Sequence, residues 1–257
     1  MFKRLSRFKE YEFLFSELVK RDFKKKYKGT FLGMIWSVLS PLLMLLVMSL
    51  VFTSFFGRNT PHYTIYLFCG NIIFSYFSES TNGGMGALLG NASIFTKINV
   101  PKYLFLFSKN VQTLINFGLT FAVFLIFCII DGITFSFAFF LLIFPIVCLV
   151  IFNLGVGLIL SALYVFFRDI QYLWSIFTML LMYMSAIFYT VDTFGDKAVL
   201  FNLNPLYVYI KYFRTIVIDG KIPSPKLHLL ALGYSLFAFA VGAFIYKRKN
   251  HKFLYYV

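Results

Sequence analysis

With 257 residues, 60% of them hydrophobic and only 13% charged, the chain carries more apolar surface than a water-soluble domain of its size can hide. The same figures exclude intrinsic disorder, three cysteines exclude a disulfide scaffold, and long unbroken apolar runs exclude an alternating β-barrel. A net charge of +14 would suggest nucleic acid in a soluble protein, but here Lys and Arg gather at the ends and between apolar runs, where a bilayer sorts them. The composition predicts an all-α integral membrane protein with a mean hydropathy of +0.80 and no nucleic-acid partner.

The first 28 residues hold ten Lys and Arg. Among them Phe8, Tyr11, Leu14, Phe15, Leu18, Phe23 and Tyr27 recur at helical spacing, while Lys20, Lys24 and Lys28 repeat on another face. This predicts an amphipathic helix over 8–28 lying flat on the inner membrane surface. Its basic face, Lys20, Arg21, Lys24 and Lys28, has two uses that fit equally: an anchor to anionic lipid, or a handle for an anionic substrate head group. The basic stretch is too long for a cleavable signal peptide.

Spanning the hydrocarbon takes about 20 apolar residues. Six segments qualify, at 33–56, 64–82, 103–130, 137–166, 170–191 and 228–246. The second is interrupted by polar residues, and the fourth contains Pro145, which predicts a kink or tilt. With the N-terminus inside, 17 of the 24 Lys and Arg fall on the inner side and six outside, so both termini are expected in the cytoplasm. Five of those six, all but Arg58, sit in the single outer segment 192–227. Cys69, Cys128 and Cys148 each lie within an apolar run and read as small packing residues.

Glu79 is the one acid in or near a span, amid Ser75, Ser78, Ser80, Thr81 and Asn82. It marks either a polar pathway or proton site, or the point where the helix reaches the inner interface. In the inner segment that follows, glycines and Asn91 break the helix. A short helix over Ala92, Ser93, Ile94, Phe95, Thr96, Lys97 and Ile98 is then expected, stopped before Pro101. With Ile94, Phe95 and Ile98 exposed, it would plug a partner's groove, or else dip into lipid. The outer segment 192–227 carries Asn204 and Pro205, an N-cap followed by the residue favoured at the first helical position. Leu206, Ile210, Phe213 and Val217 then form an apolar stripe, with Lys211 and Arg214 off it. A helix this short re-enters as a gate or lies flat as a cover. Tyr183, Phe188 and Tyr189 are candidate rings for a conduit wall, since sugars dock on aromatic faces.

No catalytic motif is present. The chain lacks G-x-x-x-x-G-K-[ST], so it is not expected to hydrolyse nucleotide itself. His62, His228 and His251 are dispersed, and of the ten acids only Asp192 and Asp196 come close to pairing. No metal, cofactor or catalytic residue is expected.

Four stretches carry a family resemblance. They are Tyr27-Lys28-Gly29-Thr30-Phe31-Leu32-Gly33-Met34-Ile35-Trp36 followed by Ser40-Pro41; Ile94 to Pro101; Phe167-Arg168-Asp169; and Ile187-Phe188-Tyr189 with Asn204-Pro205-Leu206 and Arg214. In order and spacing the chain resembles the membrane-spanning permease subunits of ABC-2 type exporters, in the branch that exports O-antigen-like polysaccharides and teichoic acids. Where that family usually has a proline before the aromatic pair, this chain has Ala186.

The resemblance implies a homodimer in the bacterial cytoplasmic membrane, each copy paired with a separately encoded ATP-binding subunit that holds ATP and Mg. It implies that 92–101 is the coupling segment seated in that subunit, and that 192–227 folds into re-entrant gate helices. It further implies a central channel for a lipid-linked glycan. An ABC-2 exporter of a drug, peptide or lipid is the alternative within the superfamily; an ion-coupled carrier using Glu79 is the alternative outside it.

Overall fold

The computed structural model describes the backbone of residues 2–56 and 61–256, with the side chains of 11–26, 28–33, 35–53, 61–191, 194–250, 252–253 and 256. Lys3, Arg4, Arg7, Phe8, Lys9, Tyr27, Arg58, Asp192 and His251, all counted above, lie outside the described side chains. Described elements are α1 (Phe2–Tyr27), α2 (Trp36–Phe56), α3 (Tyr63–Gly86), α4 (Ala92–Phe95), α5 (Tyr103–Ile130), α6 (Ile143–Phe166), α7 (Ile170–Met184), α8 (Pro205–Val217) and α9 (Pro225–Lys249). Tight 3-10 turns flank several of them, and no strand occurs among the described residues.

Four of these stretches are long and apolar enough to cross a membrane: Trp36–Thr53, Tyr103–Ile130, Phe137–Phe166 and Pro225–Lys249. They match the first, third, fourth and sixth segments expected from sequence. No more than a third of each is buried within the chain, so their apolar faces meet lipid or other protein. The protein is thus a multi-pass membrane protein.

The second expected span is the 24-residue helix α3, and it inverts that pattern. It is less apolar than those four, yet 16 of its residues are buried, because α2, α5, α6, α7 and α8 pack around it. A helix screened from lipid by its neighbours can carry Asn71, Ser80 and Thr81 without exposing them to hydrocarbon.

The fifth expected span corrects the sequence reading. Its helix α7 stops at Met184 after 15 residues, a rise of about 22 Å against a hydrocarbon core of about 30 Å. Residues 185–190 continue as a non-helical turn.

The closest helix pair is α6 with α9, joined through glycines. A methyl group at Gly155 would overlap the Ala238 carbonyl carbon and the Phe239 amide nitrogen, and one at Gly242 would overlap the Gly155 carbonyl oxygen. Small residues at such crossings let backbones approach where lipid supplies no hydrophobic drive. At the periphery, α7 buries only Thr178, and α2 leaves Leu46, Val47 and Leu50 more than half exposed.

One end of the bundle, here the basic end, carries α1, α4 and the C-terminal turn Asn250–Tyr255. The opposite end carries the turn after α7, the 3-10 segment Val191–Leu203 and α8.

Candidate transport groove, coupling surface and far-end clasp

Between α2, α3 and α5 runs a groove of about 590 Å³. Trp36, Ser37, Ser40, Pro41 and Met44 form one wall; Asn71, Ser75, Tyr76 and Glu79 the second; Thr113, Asn116, Phe117 and Thr120 the third. The polar members of α5 repeat every three or four residues, which puts them on one face of a helix that is otherwise apolar. Hydroxyls and amides thus alternate with aromatic and aliphatic side chains along one sheltered space.

At the basic end this groove is closed by a bridge. Lys26 Nζ donates to Glu79 Oε1 at 2.7 Å, and Asn116 Nδ2 donates to the same oxygen at 2.9 Å. Both bridge side chains are about one-third exposed, at 37% and 35%. Glu79 therefore lies where α3 meets the interface helix, paired with a cation from α1. Sequence reasoning did not single out Lys26, because the two residues are remote in the chain. The helical phase of α1, which turns Lys26 away from the Lys20–Lys24–Lys28 row, was the available signal.

The structure divides the predicted basic face of α1. Lys20, Lys24 and Lys28 are exposed, and Lys20 Nζ donates to Glu17 at 2.9 Å. Together with Arg21 and Phe23 they line a shallow cleft. Arg21 also reaches inward, its Nη2 donating to Asp22 and, at 2.7 Å, to Asn91 Oδ1. Leu18, on the apolar face, is buried, with Leu14 packed beside it.

The predicted coupling segment forms one helical turn, Ala92–Phe95. Ser93, Thr96, Lys97 and Ile98 are exposed, and Ile94 is half-buried. Phe95 corrects the sequence reading: it is buried rather than presented to a partner. Its ring packs on Phe105 at 5.9 Å and lies beside the Lys102 ammonium, 5.7 Å away.

Lys102 Nζ donates to the Asn250 carbonyl at 2.9 Å and lies equally close to the Phe253 ring. Burial pushes the Lys102 pKa below its ordinary value. The C-terminal turn is thereby fastened behind the segment 92–98.

At the far end the predicted N-cap is present. Leu206 N donates to Asn204 Oδ1 at 3.0 Å, with Pro205 opening α8. The amide of Asn204 reaches back to Ser185 Oγ at 2.9 Å. Ten of the 13 residues of α8 are buried among α3, α6, α9 and the turn Phe137–Leu142, which excludes a flat surface cover.

Arg214, expected off the apolar stripe, is buried with the rest. Its guanidinium donates to the carbonyls of Ala186 at 2.8 Å, Ile187 at 3.0 Å and Tyr66 at 3.1 Å, and stacks 3.3 Å from the centre of the Tyr66 ring. Gly70 leaves room for it: a methyl there would stand 3.2 Å from Arg214 Nη2.

Tyr63 and Tyr66 hydroxyls donate at 2.6 Å to the carbonyls of Phe188 and Tyr189. These contacts fix the turn at 185–190, where Ala186 takes the left-handed φ of 50° in place of a proline bend. Phe188 is buried against Phe52, Tyr183 is half-exposed, and Tyr189 meets Phe194 and Phe201. Of the six channel or gate candidates, Asn204, Pro205 and Arg214 lie in this buried clasp, Phe188 is buried beside it, and Tyr183 and Tyr189 keep partly accessible rings.

Comparison with known families decides the class. The family model for ABC-2 type transporters matches residues 14–218, most of the chain from α1 through α8. The chain belongs to the ABC-2 type transporter family. This ABC-2 protein is 29% identical to the O-antigen export system permease protein RfbA of Myxococcus xanthus, over 94% of its own length and 95% of the relative's. It is 28% identical to the protein of that name from Klebsiella pneumoniae, again over 94% and 95%. To the polysialic acid transport protein KpsM of Escherichia coli it is 23% identical, over 91% and 92%.

Proposed function

We propose that this chain is the membrane-spanning permease subunit of an ATP-driven exporter that carries a lipid-linked cell-surface polysaccharide, of the O-antigen kind, across the bacterial cytoplasmic membrane. The observation that carries this reading is its end-to-end similarity to relatives named for O-antigen export and polysialic acid transport. The polar, aromatic-lined groove supports it, because a hydrophilic polymer needs a sheltered path through hydrocarbon.

On this reading α3 and α7 complete six spans. The turn after Met184 brings the short α7 to the far surface, and α8 is a re-entrant element of the gate. The basic end is cytoplasmic, as the Lys and Arg bias requires. Two copies pair, and two ATP-binding subunits, which hold ATP and Mg, dock at the exposed residues Ser93, Thr96, Lys97 and Ile98. This chain acts as a transport subunit and binds no cofactor of its own.

The test is a tagged pull-down from mild detergent, with an ATPase assay of what co-purifies. Wild type is compared with Lys97→Glu/Ile98→Asp, both exposed, so that the fold is spared. An ATP-binding subunit retained by wild type and lost by the variant is the expected outcome. Wild type purifying alone, without ATPase activity, from membranes expressing its neighbouring genes overturns the reading. Transport under an ion gradient, with Glu79→Gln as the variant, then becomes the next measurement.

A further inference from the structure

A second apolar cluster closes the basic end, apart from the main core. Phe95 from the segment 92–98, Phe105 from α5, Val165 from α6, Tyr246 from α9 and Phe253 from the C-terminal turn are all buried in it. The Phe253 ring meets Tyr246 at 5.1 Å and Phe166 at 5.9 Å, and Phe166 also meets Tyr256 at 4.9 Å. The C-terminal turn is thus seated on the basic ends of both α6 and α9.

Lys102 is the unusual member. It stands at the N-cap of α5, is buried, and makes no ion pair among the described residues. Its ammonium lies 5.7 Å from the centres of the Phe95 and Phe253 rings and donates to the Asn250 carbonyl at 2.9 Å. A buried cation without a carboxylate is costly, and two rings and a carbonyl offset only part of that cost. An apolar side chain would fill the cluster without it. What the ammonium adds is direction, a fixed contact between the exit of the segment 92–98 and the turn that ends α9.

That turn leads into the closest helix pair of the bundle. Gly155 of α6 and Gly242 of α9 leave no room between them for a methyl group. Helices packed backbone to backbone shift together, because a close-packed contact does not deform continuously.

We propose that Lys102 and the C-terminal turn lock the segment 92–98 to the α6–α9 pair, which makes Lys102 and Phe253 positioning residues for coupling to the ATP-binding subunit. The proposal rests on the export reading above and deepens it. A partner that moves the segment then moves α6 and α9 as one body. The Lys26–Glu79 bridge, near water, parts at little cost as that body shifts. Without the lock, Ser93, Thr96, Lys97 and Ile98 stay exposed for docking, but the movement of the segment is absorbed in the loop 99–101. Loss of the lock therefore uncouples the exporter rather than dissociating it.

The test has two parts. In the full-length chain in lipid nanodiscs, spin labels on Thr96→Cys and Lys252→Cys, both exposed, read the distance from segment to turn; Cys69, Cys128 and Cys148 are buried. Labelled chain is diluted with unlabelled chain so that distances within one copy are read. A single narrow distance is expected, broadened by Lys102→Met and by Phe253→Ala. In the complex without labels, both variants should retain the ATP-binding subunit and its ATPase activity near the wild-type level. In cells lacking the gene, their surface glycan should fall about tenfold, the loss of one charge-assisted contact. Lys102→Arg, which keeps a donor, should restore most of the glycan, and Lys247→Gln, exposed on the last turn of α9, should change nothing.

A distance as narrow in both variants as in wild type overturns the proposal. So does a broadened distance with unchanged glycan, or a loss of glycan that tracks loss of the ATP-binding subunit, since the cluster then only keeps the docking surface in shape. Insertion and melting temperature are checked for each variant, and Lys102→Gln or Phe253→Leu replaces one that fails to insert. Wild type without an ATP-binding partner, or a gene deletion without a glycan defect, refutes the export reading, while the label distances still decide whether the lock exists.

Discussion

Arg214 and Lys26 are both cations set against α3, near its opposite ends, and they are held in opposite ways. Arg214 is buried, makes no ion pair among the described residues, and spreads its charge over three backbone carbonyls and an aromatic face. Lys26 is partly exposed and pairs with the Glu79 carboxylate on α3. Carbonyls cannot move without moving the chain, so the Arg214 clasp fixes the backbone reversal after α7. A carboxylate bridge near water exchanges partners at little cost. The far end is thus built to hold one shape, whereas the basic end is built to rearrange.

The sharpest way to break this contrast is Arg214→Met. It leaves the carbonyls of Tyr66, Ala186 and Ile187 short of their donors, and the expected loss is about 3–5 kcal/mol, read as a fall in melting temperature in detergent. Arg214→Lys should rescue little, since one ammonium cannot reproduce the fork that reaches all three.

Gly70→Ala presses the clasp from the other side, against Ile187 Cγ2 at 3.0 Å and Arg214 Nη2 at 3.2 Å. Because the guanidinium is tied down and cannot yield, a loss of about 1–2 kcal/mol is expected despite the better helix former.

Ala186→Gly should go the other way, gaining up to about 1 kcal/mol by relieving a left-handed alanine. A destabilised Ala186→Gly protein would show that the buried methyl outweighs the backbone strain.

Glu79→Gln should change stability least, by under about 1 kcal/mol, because its ion pair is one-third exposed and the amide still accepts from Asn116. A loss as large as that of Arg214→Met would erase the distinction between the two ends.

What could be read from the sequence follows the range of the interactions. The Asn204–Pro205 helix start is a local device, complete within three residues, and it stands where the sequence places it. Long apolar runs need no partner to be recognised, which is why four spans were legible.

Phe95 was misread because its burial depends on Phe105 and on the Lys102 that also holds the C-terminal turn. The depth of Arg214 was hidden because its partners are backbone carbonyls, which have no letter in a sequence. The end of α7 was overrun for a related reason: apolar residues continue through Tyr189, and contacts from remote residues, Tyr63, Tyr66, Asn204 and Arg214, turn the chain aside. Family resemblance adds an expected role for the segment around Ile94; geometry supplied Lys26, which no motif marks.

The enclosure of α3 also bears on how the protein is made. This helix emerges before most of the neighbours that shield it. Alone in lipid it would present Asn71, Ser75, Glu79 and Asn82 to hydrocarbon, at a cost that its apolar residues only partly offset. Its resting place becomes favourable as α5, α6 and α8 arrive, and α8 follows all the other helices that pack on it. Biogenesis of this bundle is therefore a matter of late consolidation around an early, reluctant helix, and a chain truncated before α8 leaves that helix unsheltered.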